Sequence, residues 1–252
     1  MAGNKYRSHI YGEGEKNTVW RYGAPPNYDR VNKLFEEDRT QETILFLISI
    51  FSLSSFPSQL ILGYEWPSGS LEETLQNLVK TFEMELFHKP RLEDYKTINL
   101  DRFTLSINGG RPMKMEEIVK VGGYNAFLQT TLPHRLQAHD PSAMTSESSH
   151  EVFSTTFPRG FALEVLQVYS GPPVVAYKFR HWGYMEGPFK GHPPTGEKVE
   201  LIGISVVEVD ESLRFNKLEF IYDAGELLAG LLKNPISDET PSESSIGCPF
   251  MK

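Results

Sequence analysis

Apolar residues recur with two different periods along the chain. Through most of the first half they return every three or four positions, the spacing that lines side chains along one face of an α-helix. The stretch PPNYDRVNKLFEEDRTQ predicts a short helix starting near Asn27, with Val31, Leu34 and Phe35 on the buried stripe and charges opposite. In SGSLEETLQNLVKTFEMELFHK, Leu71, Leu75, Leu78, Val79, Phe82 and Leu86 share one face, and Ser70 with Glu73 forms a capping box at the start. TINLDRFTLSINGG reads as an extended run that ends in a turn at Asn108, Gly109 and Gly110. Two helical pieces follow, MKMEEIVKVGG and GYNAFLQTTL, then the loop PHRLQAHDPSAM and a helix around Glu147 to Thr156.

The second half changes period. GFALEVLQVYSG, PVVAYKFRHWG, KVELIGISVVEVD and LRFNKLEFIYD are rich in Val, Ile, Phe and Tyr and are separated by Gly, Pro or Asp turns, the signature of an antiparallel meander. A last helix, AGELLAGLLK, closes the pattern, and the Ser-, Pro- and acid-rich stretch from Asn234 is expected to be disordered. Helices first and an antiparallel sheet second predict an α+β fold with the helices on one face of a curved sheet. With no repeats and no second composition class, one domain over 1–233 and a tail over 234–252 are expected.

Composition narrows the function classes. An apolar fraction of 39% with 12% aromatic residues is enough for a sizeable core. A formal charge of −8 without any cluster of Lys and Arg argues against nucleic-acid binding, which depends on such clusters. Cys248 is the only cysteine, so no internal disulfide forms and a reducing compartment is expected. The charged start lacks the apolar core of a secretory signal, Gly3 stands one place too late for myristoylation, and Cys248 is fifth from the end rather than fourth. A cytoplasmic location follows as an expectation.

The run from Val174 to Leu231 resembles the closing half of SnoaL-like proteins, a branch of the nuclear-transport-factor-like superfamily. It has an aromatic-basic strand, a Gly-rich turn, PPTG, two further strands of which the last ends in an acid, and a Leu-rich helix. KYRSHIYGEGEKNTVWRYGAPPNYDRVNKLFEEDRTQ, GGYNAFLQTTLP, FPRGFALEV, YSGPPVVAYKFRHWGYMEGPFKGHPP and GCP are similar to plant pathogen-related proteins over nearly the whole chain. The resemblance implies a cone-shaped fold of N-terminal helices on a curved antiparallel sheet, with a cavity between them. In those relatives RTQ is followed almost at once by EWP, so the uncharged stretch from Thr43 to Tyr64 reads as an insertion over 42–64. A membrane span needs about 20 continuous apolar residues, whereas this stretch holds Ser49, Ser52, Ser54, Ser55, Ser58, Gln59 and a helix-breaking Pro57. Its Phe, Leu, Ile and Ser vocabulary is that of translated pyrimidine-rich DNA, so a retained intron is the favoured reading. A genuine apolar loop packed on the domain and a membrane contact are the alternatives.

Candidate chemistry comes partly from that resemblance. In SnoaL-like cyclases an acid at the end of the last strand is the general acid/base, and Asp223 in FIYDAG stands at that place. Asp before a helix is also a preferred cap. Alternation in VVAYKFRHW puts Val175, Tyr177, Phe179 and His181 on one face and Val174, Ala176, Lys178, Arg180 and Trp182 on the other. The first set is the more apolar and is expected inside, which brings His181 to the cavity mouth. The cyclase turn of Gly, Thr, His is replaced by Gly183, Tyr184 and Met185, and Met185 transfers no proton. Asp223 and His181 are therefore the catalytic candidates, and Tyr177, Phe179, Trp182, Tyr184 and Tyr222 the ligand-binding ones.

No cofactor or metal is expected. His134, His139 and Asp140 lack further ligands at metal spacing. GHPPTGEK has Glu197 where a phosphate loop needs Lys. There is no G-x-S-x-G elbow, and Cys248 has no His beside it. The expected partner is a small hydrophobic metabolite, with neither nucleic acid nor membrane. Catalysis is left open: beside simple binding stand acid/base isomerisation or cyclisation, and a non-catalytic scaffold that forms a homodimer through its sheet.

Overall fold

The computed structural model describes residues 15–38, 66–137 and 139–236 of the 252. The stretch 42–64, expected to be an insertion, and most of the expected tail lie outside the described residues. Among the described residues no helix is long and apolar enough to cross a membrane.

Helix α1 covers 29–38 and buries Val31, Leu34 and Phe35, the stripe its spacing predicts. Helix α2, Leu71–His88, buries Leu75, Val79, Phe82 and Leu86. Leu71 stands at the first helical position and is exposed, and Leu78 is only partly buried. Ser70 caps α2 by accepting from the Glu73 backbone N–H at 3.1 Å. The return bond comes to Glu73 from the Gly69 N–H at 2.7 Å, one residue earlier than a capping box requires. Near its C-terminus, buried Glu85 accepts from the Lys96 and Thr97 backbone N–H groups and from Lys89 Nζ at 2.9 Å, which fixes the turn that follows.

Strand β1 is Thr104–Ile107, and the predicted turn after it places Asn108 and Gly109 at φ +51° and +71°. Helices α3, Met115–Val121, and α4, Gly123–Phe127, are short. In the loop beyond them His139 is buried, and its Nε2 lies 2.8 Å from Asn125 Oδ1. Asn125 Nδ2 donates to the Val121 carbonyl, so the amide oxygen is left to accept and His139 donates through Nε2. Burial pulls the His139 pKa down to about 4. Helix α5 is Ser146–Thr156.

The meander follows as predicted: β2, Ala162–Val168; β3, Val174–Tyr184; β4, Lys198–Val209; and β5, Phe215–Tyr222, with antiparallel pairing throughout. The β3–β4 pair runs from Val174 opposite Glu208 to Tyr184 opposite Lys198. The sheet order is β1-β5-β4-β3-β2, and β1 pairs with β5 in parallel, so the sheet is not antiparallel at that edge. Helix α6, Ala224–Leu231, packs on β4. The result is the expected α+β arrangement of helices on a curved sheet.

One further expectation changes. The helices do not all lie on one face: α1 packs Val31, Leu34 and Phe35 against Ala162 and Trp182 on the face opposite the main core. The chain beyond the last helix is held at Asn234, whose carbonyl oxygen lies 2.6 Å from His192 Nδ1 and whose side chain donates to the Pro194 carbonyl at 3.4 Å.

Candidate functional site

On the inner face of the sheet, strand alternation points Val175, Tyr177, Phe179 and His181 at the helices. Val175, Tyr177 and Phe179 are buried, and His181 is half-buried. Directly opposite Phe179 in the pairing is Gly203. A Cβ there would come within 2.5 Å of the Phe179 ring, so glycine lets that ring lie across β4. The ring then meets Phe220 edge-on at 5.3 Å and Tyr222 at 6.3 Å, both from β5.

These rings leave an inner pocket of about 70 Å³. Its sheet wall includes Leu163, Phe179, His181, Leu201, Phe220 and Tyr222, and its roof includes Val79, Phe82 and Leu86 of α2. Phe127 of α4 and Leu227 of α6 close two sides. His181 stacks on Phe161, with centroids 5.2 Å apart and planes at 14°. The Tyr222 hydroxyl donates to the Phe127 carbonyl oxygen, which ties sheet to helix, and burial pushes its phenol above the usual tyrosine range.

Beside the pocket lies an open vestibule of about 650 Å³, lined by the start of α1, the C-terminal turns of α2, part of α5 and the segment 157–161. Five residues border both spaces: Glu83, Phe87, Tyr124, Phe153 and Phe161. They form the neck. Tyr124 stacks on Phe153 at 4.1 Å and 8°, and Phe87 tilts over Tyr124 at 4.8 Å. Burial raises the Tyr124 phenol as well, with nearby Glu83 adding to the effect. Further out, His150 lies under Tyr22 at 5.5 Å and 24°, and burial followed by the charge of Arg21 lowers its pKa.

The structure brings together three of the candidates named from the sequence, Phe179, His181 and Tyr222, on the wall of the inner pocket. Tyr177 faces the same way but does not line the pocket; it is buried opposite Ser205, and burial raises its phenol. Trp182 and Tyr184 do not border the inner pocket. The same alternation that turns His181 inward turns Trp182 outward, where it is buried against Phe35 at 5.8 Å and donates to Glu164 at 3.0 Å. Tyr184 follows it, with its ring 6.2 Å from Trp182 and the Arg159 guanidinium 5.0 Å above it. Asp223 stands at the start of α6. It is exposed, does not border the pocket, and caps α6 by accepting from the Gly225 N–H at 2.7 Å.

Sequence reasoning passed over Glu83, Phe87, Tyr124, His150 and Phe161. Glu83 carried a signal: it falls four residues after Val79 and three before Leu86, so an acid stands at the edge of the buried stripe of α2. His150 carried a weaker one, three residues before Phe153 on the inward face of α5. Among the described residues no group of three or more His, Cys, Asp or Glu is placed to hold a metal ion.

No protein-family model matches the chain. It is 16% identical to a SnoaL-like protein of polyketide-cyclase type from Jannaschia sp. CCS1, with a TM-score of 0.38 over 68% of this chain and 100% of that one. It is 15% identical to an LEH-like epoxide hydrolase from M. tuberculosis, with a TM-score of 0.32 over 62% of this chain and 88% of that one. Its sequence is 51% identical, over 253 aligned residues, to the pathogen-related protein of Hordeum vulgare, covering 100% of this chain and 96% of that protein. On that full-length identity, the chain belongs to the pathogen-related protein family.

Proposed function

We propose that the protein binds a small apolar or aromatic metabolite, with the body of the ligand in the inner pocket and its polar end at the neck. The observation that carries this reading is the make-up of the pocket wall, where Glu83 and His181 and two phenols interrupt an otherwise apolar surface. A concave apolar site with a few convergent polar groups is what small-molecule recognition requires. At about 70 Å³ the inner pocket alone is smaller than a ligand-sized site, which runs to about 300 Å³ or more. The ligand therefore extends into the vestibule or turns the half-buried rings of Phe87 and Phe161 aside. A role in the response to pathogens belongs to this reading, supported by the name of the barley relative. So does a cytoplasmic location, supported by the single cysteine.

The acid/base alternative passes from Asp223 to Glu83 and His181, because these two line one pocket and Asp223 does not. The scaffold alternative expects a filled interior, and the hollow speaks for binding instead. Native mass spectrometry of the purified full-length chain tests the reading. The expected result is a bound apolar species released on denaturation. A bare chain that is also not thermally stabilised by any member of a panel of apolar and aromatic compounds would overturn it.

A further inference from the structure

Two tyrosines border the inner pocket, and the fold uses their hydroxyls differently. The Tyr222 hydroxyl donates to the Phe127 carbonyl oxygen, so its proton is spent within the protein. Tyr124, which borders pocket and vestibule alike, meets Phe153, Phe87 and His150 through its ring, and among the described residues its hydroxyl makes no hydrogen bond. We propose that Tyr124 is the hydrogen-bond donor of this site and that the ligand presents to it an uncharged acceptor oxygen, such as a carbonyl, while its apolar body enters the inner pocket. The inference rests on the binding reading above and adds the polar group that the ligand must carry.

The Tyr124 hydroxyl is aimed before any ligand arrives. Its ring faces are covered by Phe153 at 4.1 Å and Phe87 at 4.8 Å, which leaves the oxygen as the polar part that a ligand can meet. The preceding residue makes the second contact close: a Cβ at Gly123 would lie 2.6 Å from the Phe87 ring. A donor held in this way loses little freedom when it is bound. Burial and nearby Glu83 keep the phenol protonated, so it donates. Once an apolar body covers the neck, water can no longer serve that hydroxyl, and an acceptor on the ligand has to replace it. Charge then narrows the acceptor. Among the described residues no Lys or Arg lines the inner pocket, so a carboxylate would lose its hydration there without gaining a counter-charge. The cations Arg30 and Arg159 border only the vestibule.

Titration calorimetry of the full chain at neutral pH with three probes of one shape tests the inference: acetophenone, isopropylbenzene and benzoate. Benzoate is expected to bind about tenfold more weakly than acetophenone, because its charge is stranded. Tyr124→Phe keeps the ring between Phe153 and Phe87 and removes the oxygen. It is expected to weaken acetophenone about tenfold and to leave isopropylbenzene within about twofold. Infrared spectra give a second readout, since the carbonyl stretch of bound acetophenone should lie below its position in hexane and return to it in Tyr124→Phe. Unchanged acetophenone binding in the variant, equal loss of both neutral probes, or tighter binding of benzoate overturns the inference and leaves the binding reading intact. Should the variant not fold, the band on the unaltered chain still decides: a carbonyl stretch at its hexane position overturns the inference. Failure of all three probes on the unaltered chain overturns both readings.

Discussion

The two faces of strand β3 treat their buried side chains differently. On the inner face Tyr177, Phe179 and His181 meet mostly rings and methyl groups, and toward the end of the strand they border empty space. On the outer face Arg180 and Trp182 meet α1 and a network of charges. Arg180 lies 2.6 Å from Glu164 and 2.9 Å from Asp38, Lys198 lies 2.8 Å from Asp38, and Trp182 donates to Glu164. Bonds with fixed directions leave no slack on the outer face, while the non-directional contacts inside tolerate a gap. One strand thus carries a load-holding face and a receptive one, and substitutions on the two should separate stability from binding.

The largest effect is expected from Trp182→Ala. The indole is wholly buried against α1 and the sheet, so its loss should cost about 4 kcal/mol in urea unfolding. Binding of an apolar fluorescent probe such as N-phenyl-1-naphthylamine to the remaining folded protein should not change. A cost below about 1 kcal/mol would show that α1 does not hold the outer face. Arg180→Met comes next, at about 3 kcal/mol, because it leaves Glu164 buried without its cation and Asp38 with Lys198 alone. Adding salt should not mimic this substitution, since the side chain of Arg180 is only 12% exposed and screening acts weakly there.

Phe161→Ala sharpens the contrast from the inner side. The ring is half-buried, so about 2 kcal/mol of stability is at stake, less than at Trp182. It also removes one wall of the neck and the stacking partner of His181, which should merge pocket and vestibule and raise the probe's fluorescence. Unchanged fluorescence with unchanged affinity would mean that the ring does not separate the two spaces.

Much of this contrast was legible in the residues, because a period of two fixes which side chains share a face. Val175, Tyr177, Phe179 and His181 were placed together by alternation alone, and α2 by its period and cap. Placing Trp182 and Tyr184 in the site went against that same alternation. The parity of position 182 sends the indole the other way. Other features depend on contacts that no local pattern encodes. The stripe of Val31, Leu34 and Phe35 says that α1 is buried, not on which side of the sheet. The parallel pairing of β1 with β5 joins segments about a hundred residues apart, and four residues of strand carry no sign of direction. Glu83 could be read only as an oddity in an apolar stripe until α4 and α5 closed around it.

The smallest expected effect concerns Asp223, where one position satisfies two readings. A residue that ends β5 and precedes α6 can turn its carboxylate into a cavity or back onto the helix start. The structure has the second arrangement: the carboxylate accepts from the Gly225 N–H at 2.7 Å on the exposed side. Asp223→Ala should then cost about 1 kcal/mol, the ordinary loss of a cap. Asp223→Asn should cost less, since an amide oxygen can accept the same bond. Neither should alter probe affinity, because Tyr222, the neighbour that does reach the pocket, is held independently by the Phe127 carbonyl and by Asn108, whose Oδ1 accepts from its N–H at 2.9 Å. Loss of ligand binding in Asp223→Asn with stability intact would return the carboxylate to the site and break the division between a pocket built by rings and a helix start built by a cap.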